Sequence, residues 1–309
     1  MKTKLMVCVL AFALLLCGCA GYRETDSEYL ISSVAFKKQD GIFYAYIEVL
    51  ALSAKESNSY SKVFMSQGKT PFEAVNNTVA MLSKKAVFDH CAVAIIEDSI
   101  KGNDLKEINK YLYNTRNLNL GIYVFVTEDA QKILSLKSEA IGIGYDLMNI
   151  ELNIDDTSGI KCKNKFYEIE SGIDKTDTFI LPRVSEDSDR PVIIGYDVYK
   201  NYSPAVKLSE DEGLFLNLLL GGSNGGEISV SGKRCRIDLI SSNISKSGKN
   251  VFIDMKIRYK YKDENQDKKI AREIKKITDK LQNANAISVL GFKNAKTVKK
   301  TEVSSNVSY

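Results

Sequence analysis

The stretch 251-VFIDMKIRYKY-261 and the segment 266-QDKKIAREIKKITDKLQN-283 that follows it show the two kinds of element in this chain. In the first, apolar side chains occupy alternate positions with mostly charged ones between them, which predicts an antiparallel strand with one buried face. In the second, apolar residues recur at spacings of four, three and four, at Ile270, Ile274, Ile277 and Leu281. That spacing predicts an amphipathic helix. The chain is therefore expected to mix α and β structure.

Upstream, strand and helix patterns alternate between about residues 40 and 140. Residues 43–52 are rich in strand-forming types, and 92–96 and 120–126 are short apolar runs typical of buried strands. The patterns around 105–112 and 128–137 predict helices. This order favours a βαβα-type layer.

A further helix is predicted to begin at Thr70. Thr70 is a good N-cap, Pro71 suits the first helical position, and Glu73 would complete a capping box by accepting from the Thr70 N–H. Its buried stripe is predicted from apolar residues at helical spacing: Phe72, Val75, Val79 and Leu82. Gly68-Lys69-Thr70 resembles the end of a phosphate-binding loop, but Val63 stands where that motif needs glycine, so nucleotide binding is excluded.

The polar, acidic stretch 153–190 is the predicted boundary between two halves. Beyond it, strands are expected at 192–199 and 286–292, a helix at 211–220, and a frayed end over the last ten residues. The predicted organisation has three parts: a lipoprotein signal peptide at 1–18, an N-terminal α/β domain at 19–187 and a C-terminal α+β domain at 188–309.

Composition limits the kinds of site that the chain can carry. With 309 residues, 44% hydrophobic and 27% charged, it is typical of a globular protein. The single histidine, His90, excludes a site with two or three histidine ligands. Outside the first twenty residues the cysteines are isolated (Cys91, Cys162 and Cys235), which excludes a disulfide framework and a zinc ribbon. We expect no metal and no cofactor.

The first nineteen residues read as a bacterial lipoprotein signal. Two lysines precede the apolar run 5–17, whose thirteen residues would reach only about 20 Å as a helix, too short to cross a bilayer. Leu16-Cys17-Gly18-Cys19 then matches a lipobox, with a small residue before the acylated cysteine. Cys19 is therefore the predicted site of S-diacylglycerol and N-acyl attachment. The alternative is an ordinary secretory signal with an incidental cysteine.

The remaining motifs give little support to catalysis. Asp89-His90-Cys91 resembles part of a dyad, but neighbouring residues on a strand point to opposite faces. Gly142-Ile143-Gly144 lacks the third glycine and the helix of a dinucleotide site. The acidic groups Asp155-Asp156 and Glu210-Asp211-Glu212 lack the spacing of a calcium loop and are expected to be loop and helix-start charges. The chain is predicted not to be an enzyme.

Charge is unevenly distributed along the chain. The formal net charge is +4, and the segment from 246 onward is basic while the rest of the mature chain is acidic. The basic end could approach anionic headgroups or an acidic partner, although a solvated face is the favoured interpretation. No basic region interleaves the stacking aromatic residues of a nucleic-acid module, so no nucleic-acid partner is expected.

Several segments, in the right order, together carry a family resemblance. They are Gly18-Cys19, Arg23-Glu24, Gly68-Lys69-Thr70-Pro71-Phe72-Glu73-Ala74, the 85–90 segment with Phe88 and His90, Leu208-Ser209-Glu210, Gly225-Gly226-Glu227-Ile228-Ser229-Val230, and the basic helix 268–281 followed by Gly291-Phe292. On these residues the chain resembles the Ger(x)C family of spore germination lipoproteins. Ala20-Gly21 replaces the usual Trp-Asp after the lipid cysteine, so the chain would be a divergent member.

This resemblance implies a function and a fold. The protein would be the lipid-anchored C subunit of a germinant receptor, non-catalytic, at the outer face of the spore inner membrane. Its partners would be two integral membrane subunits, and its fold a multi-domain α+β arrangement of mixed β-sheets flanked by helices. The alternative is a lipid-anchored solute-binding protein of a transporter, which would need two βα lobes around a cleft.

Overall fold

The computed structural model describes residues 28–51, 60–158, 162–221, 225–230, 232–259 and 265–307. Within these ranges the strands are β1 (Glu28–Gln39), β2 (Ile42–Ala51), β3 (Tyr60–Gly68), β4 (Lys85–Val87), β5 (Val93–Glu97), β6 (Tyr123–Thr127), β7 (Thr178–Asp187), β8 (Arg190–Lys200), β9 (Ser203–Ser209), β10 (Gly225–Val230), β11 (Lys233–Ser247), β12 (Asn250–Tyr259) and β13 (Thr297–Val307). The helices are α1 (Pro71–Val79), α2 (Asn103–Asn114), α3 (Ala130–Leu134), α4 (Ile143–Ser158), α5 (Phe166–Thr176), α6 (Glu210–Leu219) and α7 (Gln266–Asn283). The fold class is α+β, as predicted.

The first nine strands form one sheet in the order β3-β2-β1-β5-β6-β7-β8-β9, with β4 paired to β1. Its centre is parallel, because β1, β5, β6 and β7 run in the same direction, and its two ends are antiparallel hairpins. Helix α2 connects β5 to β6, so the predicted alternation of strand and helix in this region is confirmed.

Helices cover both faces of the nine-stranded sheet. Side chains of α1, α2 and α5 form one apolar core with it, including Val75, Ile108 and Phe166. Side chains of α3, α4 and α6 pack on the other face, in a core that continues into the four-stranded sheet and α7. Strands β5 and β6 are consequently buried at all positions, which explains why they appear in the sequence as continuous apolar runs.

The four-stranded sheet has the order β10-β11-β12-β13. The alternating burial predicted for β12 is confirmed from Val251 to Tyr259. The strand is antiparallel to β11, as predicted, and parallel to its other neighbour, β13. Residues 300–307, from the last ten that were expected to fray, belong to β13, whose backbone pairs along the whole length of β12. Residues 308 and 309 lie outside the described residues.

One other prediction from the second half needs correction. The apolar segment 286–292 does not form a strand, because Ile287–Leu290 is a buried 3₁₀ turn that follows α7. The described part of the polar stretch 153–190 contains α5 and the buried strand β7. The predicted domain boundary at 187/188 falls in the turn between β7 and β8, two neighbours in one sheet, and it stays a prediction.

Candidate functional site

The predicted lipid site, Cys19, lies outside the described residues, which begin at Glu28. No helix within the described ranges is both long enough and apolar enough to cross a bilayer. The acylation of Cys19 therefore stays a prediction.

Helix α1 begins with the cap that the sequence predicts. Thr70 Oγ1 accepts a hydrogen bond from the Glu73 backbone N–H at 3.1 Å. The Glu73 carboxylate accepts from the N–H of Lys69 at 2.8 Å, and not from that of Thr70 as expected. A Cβ at Gly68 would lie 2.5 Å from backbone nitrogen of the first helical turn, so glycine is what lets the end of β3 pack directly against α1.

A groove of about 700 Å³ lies beside α1 and α2. Pro71 and Phe72 from the first family-like segment line it, together with Ala86 and Phe88 from the second. Tyr111 of α2 lines it as well. Two segments that carry the family resemblance and are separate in the sequence therefore line one surface. We call this surface, formed by these residues, the α1–α2 groove.

The predicted buried stripe of α1 needs correction, because part of it lines the groove. Val75 is buried, but Phe72 is 62% exposed, and its ring contacts the ring of Tyr111 edge-on at 6.5 Å between centroids. Val79 is half-buried, and Leu82 lies beyond the end of the helix. Helical periodicity predicted the correct face of α1, but at Phe72 that face lines an open groove instead of the core.

The family-like segment at 208–212 has a structural role. Ser209 caps α6, since its hydroxyl accepts from the Glu212 N–H at 3.3 Å and the Glu212 carboxylate accepts from the Ser209 N–H at 3.0 Å. At Gly213 in the same helix, a Cβ would fall 1.8 Å from the ring of Tyr196, so the absence of a side chain allows α6 to pack on β8. Ser209, Glu212 and Gly213 therefore fix the start of α6 and its position against β8.

Glu48 is a fully buried carboxylate that the sequence analysis did not single out. It accepts hydrogen bonds from the hydroxyls of Ser32 and Ser33, at 2.5 and 3.2 Å. It also accepts from the backbone N–H groups of Ile143 and Gly144, at 2.8 and 2.9 Å. Helix α4 begins within the Gly-Ile-Gly segment, at Ile143, contrary to expectation. The carboxylate of Glu48 occupies its N-terminus, where an anionic ligand would otherwise bind.

A second charged cluster, buried at Arg183 and Asp197, joins β7, β8 and β9 to the end of β5. Arg183 of β7 donates to both carboxylate oxygens of Asp197 on β8, and its Nη1 donates to Asp98 at 2.8 Å. Lys207 of β9 lies 3.5 Å from the same Asp98 oxygen. The position at the carboxyl ends of parallel strands is one where α/β proteins often bind ligands. Here Asp98 and Asp197 are paired with cations of the chain.

The Asp89-His90-Cys91 segment does not form a catalytic pair. His90 is exposed, whereas Cys91 is buried and its thiol donates to the Val93 carbonyl at 3.4 Å. Burial raises the pKa of Cys91 to about 12, so the thiol is protonated at neutral pH and is a poor nucleophile. Burial also raises the pKa of Cys162 and of Cys235.

Acidic groups are not gathered into a metal site in the part of the chain that the structure describes, and no group of three His, Cys, Asp or Glu residues is suitably placed there. Glu210, Asp211 and Glu212 lie in the first turn of α6, where negative charge stabilises the helix dipole. They are helix-start charges, as predicted. The side chains of Asp155 and Asp156 lie outside the described residues.

In the described residues these features define an α+β protein in which Glu48, Arg183 and Asp197 are bound by other groups of the chain and the α1–α2 groove is an open, largely apolar surface. Residues 21–186 match the family described as spore germination protein N-terminal domain, which is more than half of the 309 residues. The chain belongs to this family of spore germination proteins. The family resemblance noted in the sequence is thereby confirmed.

A solved structure is also similar to this chain. The crystal structure of the GerBC protein aligns with 89% of this chain and 97% of its own, at 13% sequence identity and a TM-score of 0.45. A search of curated proteins found no match.

Proposed function

We propose that this chain is the lipid-anchored, non-catalytic subunit of a spore germinant receptor. Cys19 holds it to the outer face of the spore inner membrane, where it works with two integral membrane subunits and is required for nutrient-triggered germination. The observation that carries the proposal is the match of residues 21–186 to the spore germination family. Receptor subunits of this kind act by contact, so the relevant surfaces are those that the fold leaves open.

The contacts of the described charged residues support a role without catalysis. Glu48 is saturated by four donors, and Arg183 is paired with Asp98 and Asp197. Groups bound in this way hold the fold together and are not free to exchange protons with a substrate. The α1–α2 groove instead exposes apolar and aromatic side chains among polar and charged ones, which suits a docking surface.

The sheet topology speaks against the alternative of a solute-binding protein. That class is expected to have two βα lobes joined by crossing strands. The described strands form one continuous nine-stranded sheet and one four-stranded sheet, and the parallel βα portion occurs only in the first.

The anchor is tested by replacing Cys19 in the spore-forming host. Cys19→Ala is expected to leave unprocessed precursor, abolish metabolic labelling with palmitate and abolish germination through this receptor. Cys17→Ala is the matched control and should be labelled and processed normally. Labelling that persists in Cys19→Ala and disappears in Cys17→Ala would show that Cys17 is the acylated residue.

The receptor assignment is tested separately by deleting the gene. Deletion spores should form normally and retain their heat resistance, but fail to germinate with the nutrients that this receptor detects. Deletion spores that germinate at the wild-type rate with every nutrient tested would contradict the assignment.

A further inference from the structure

The α1–α2 groove lies beside the end of the chain that carries the proposed anchor. Strand β1 begins at Glu28, and its first residues pair in parallel with β4, Glu28 with Lys85 and Tyr29 with Ala86. Ala86 lines the groove. The Tyr29 hydroxyl lies 3.3 Å from that of Ser83, just after α1. The first described residues and one wall of the groove are therefore immediate neighbours.

The length of chain before Glu28 limits how far this region can lie from a bilayer. Cys19 precedes Glu28 by nine positions, and an extended chain spans at most about 3.3–3.6 Å per residue, or roughly 30 Å in total. A compact body of this chain length is about 50 Å across. The tether is thus shorter than the protein is wide, and surfaces next to Glu28 are the ones that it holds near the membrane.

Exposed apolar side chains mark the groove and the turn beside it. Phe72 in the groove is 62% exposed. Met81 is 57% exposed and lies between the end of α1 and Ser83, which is close to Tyr29. Large apolar side chains left exposed in or near an apolar groove are typical of a site of contact with another protein or with a membrane.

The charges around the groove favour a lipid surface as the occupant. Lys110 and Arg116 line the groove, and Lys84 lies next to it with its ammonium over the ring of Tyr29. Glu107 also lines the groove, so two basic residues and one acidic residue line it. Basic residues that flank an apolar surface bind membranes rich in anionic lipid.

We infer that the α1–α2 groove is the surface on which the anchored protein lies against an anionic bilayer. Phe72 and Met81 reach the interfacial region, and Lys84, Lys110 and Arg116 face the lipid phosphates. This inference rests on the proposed lipid anchor. An anchor alone leaves the protein free to rotate about its tether, whereas contact through the groove gives it one orientation. The α3/α4/α6 face and the four-stranded sheet then point away from the lipid.

The chain contains no tryptophan, so a single substitution introduces a unique fluorophore. Acylated full-length Phe72→Trp protein is reconstituted into vesicles of phosphatidylglycerol and phosphatidylcholine with or without bromine on the acyl chains. Bromine should reduce the emission of this tryptophan about twofold. Ile194→Trp is the matched control, because Ile194 is 50% exposed and lies beside Leu214 of α6 on the other face. Its emission should not change.

A charge-reversal experiment tests the role of the basic residues Lys110 and Arg116 at the groove. Lys110→Glu together with Arg116→Glu, in the Phe72→Trp protein, should reduce the quenching, and so should vesicles of phosphatidylcholine alone. Lys275→Glu together with Lys276→Glu on the exposed side of α7 is the matched control and should leave the quenching unchanged.

Several results would overturn the inference. Unquenched emission from the Phe72→Trp protein, when that protein floats with the vesicles, would leave the anchor intact and exclude lipid contact at the groove. Quenching of the Ile194→Trp protein would assign contact to the other face. A photocrosslinker at position 72 that yields a protein adduct in spores, without quenching in vesicles, would assign the groove to a partner polypeptide. Protein that fails to float at all would overturn both the anchor and this inference.

Discussion

The central strands of the nine-stranded sheet and strand β12 of the four-stranded sheet bury their side chains in different patterns. All residues of β5 and of β6 are buried, whereas β12 alternates between buried apolar residues and exposed charged ones from Ile253 onward. The cause is the number of covered faces, because helices pack on both sides of the large sheet and on one side of the small one. The burial pattern along a strand therefore indicates whether one or both of its faces are covered.

The same difference explains where the buried charges are found. Glu48, Arg183 and Asp197 all lie in the nine-stranded sheet, and each is bound by other groups of the chain. A strand covered on both faces cannot point a polar side chain toward water, so such a side chain needs partners from distant segments. In β12 the charged residues simply face solvent.

The largest loss of stability is expected for a substitution at a buried charge of the large sheet. Arg183→Ala should lower the free energy of unfolding by about 3–5 kcal/mol, because it leaves Asp197 buried without its partner. Chemical denaturation of the purified protein measures this. Arg190→Ala is the matched control, since its pair with Glu139 is two-thirds exposed on both sides and should contribute about 0–1 kcal/mol. Equal losses in the two variants would show that the interior of the large sheet tolerates an unpaired charge.

The comparison of strands is tested most directly by alanine substitutions at neighbouring positions. In β5, Ile95→Ala and Ile96→Ala should each cost about 2–5 kcal/mol, because both side chains are buried on opposite faces. In β12, Ile257→Ala should cost as much, whereas Arg258→Ala should stay within about 0.5 kcal/mol. A large loss for Arg258→Ala would mean that the outer face of β12 is covered.

A smaller effect is expected at the start of α1, which covers one face of the large sheet. Thr70→Ala removes the cap of the Glu73 N–H and should cost about 1 kcal/mol. The exposed Lys69 side chain is the control, and Lys69→Ala should leave the melting temperature unchanged. If Lys69→Ala protein is fully stable but its spores germinate poorly, Lys69 contacts a partner.

The smallest loss of stability is expected at the ion pair between α6 and α7. The carboxylate of Glu212 on α6 lies 2.6 Å from the ammonium of Lys280 on α7. Burial raises the pKa of Glu212, but the hydrogen bonds from Lys280 and Ser209 outweigh it, and the net pKa lies below the usual 4.5. Stability from this pair is therefore present above about pH 4.5 and is lost as the pH falls through the lower folded-state value.

The corresponding experiment compares Glu212→Gln with the wild type by urea unfolding at pH 6 and at pH 3. The variant should be less stable by a few tenths of a kcal/mol at about pH 6, and the difference should shrink as the pH is lowered toward about 3. Lys280→Gln should show the same pH dependence. A difference that is the same at both pH values would contradict a role for the charge of Glu212.

Elements with a clear local signal could be predicted from the sequence. The cap of α1, the helix from Gln266 to Asn283 and the alternation in β12 all follow from spacing within one turn or one strand. The family could also be assigned from the residues, because its short segments occur in order along the chain.

Elements that depend on distant partners could not be predicted in this way. Strand β1 lies at the centre of the large sheet, but Ser32 and Ser33 interrupt its apolar pattern, and their burial makes sense only once Glu48 is seen to bind them. Strand β13 has a mostly polar sequence and forms because β12 offers an edge for parallel pairing. The 3₁₀ turn at Ile287–Leu290 is as apolar as a strand but packs against α5 and α7.

The same distinction between local signals and distant contacts applies to the α1–α2 groove. The sequence by itself predicted the lipobox at Cys19, and it determined the start of α1 and the two segments that carry the family resemblance. Only the tertiary structure decided that Phe72 is exposed, that Phe88 lies in the same groove, and that this groove adjoins the beginning of β1. The physical reason is that periodicity fixes which face of an element is apolar, while the packing of distant segments fixes whether that face is covered.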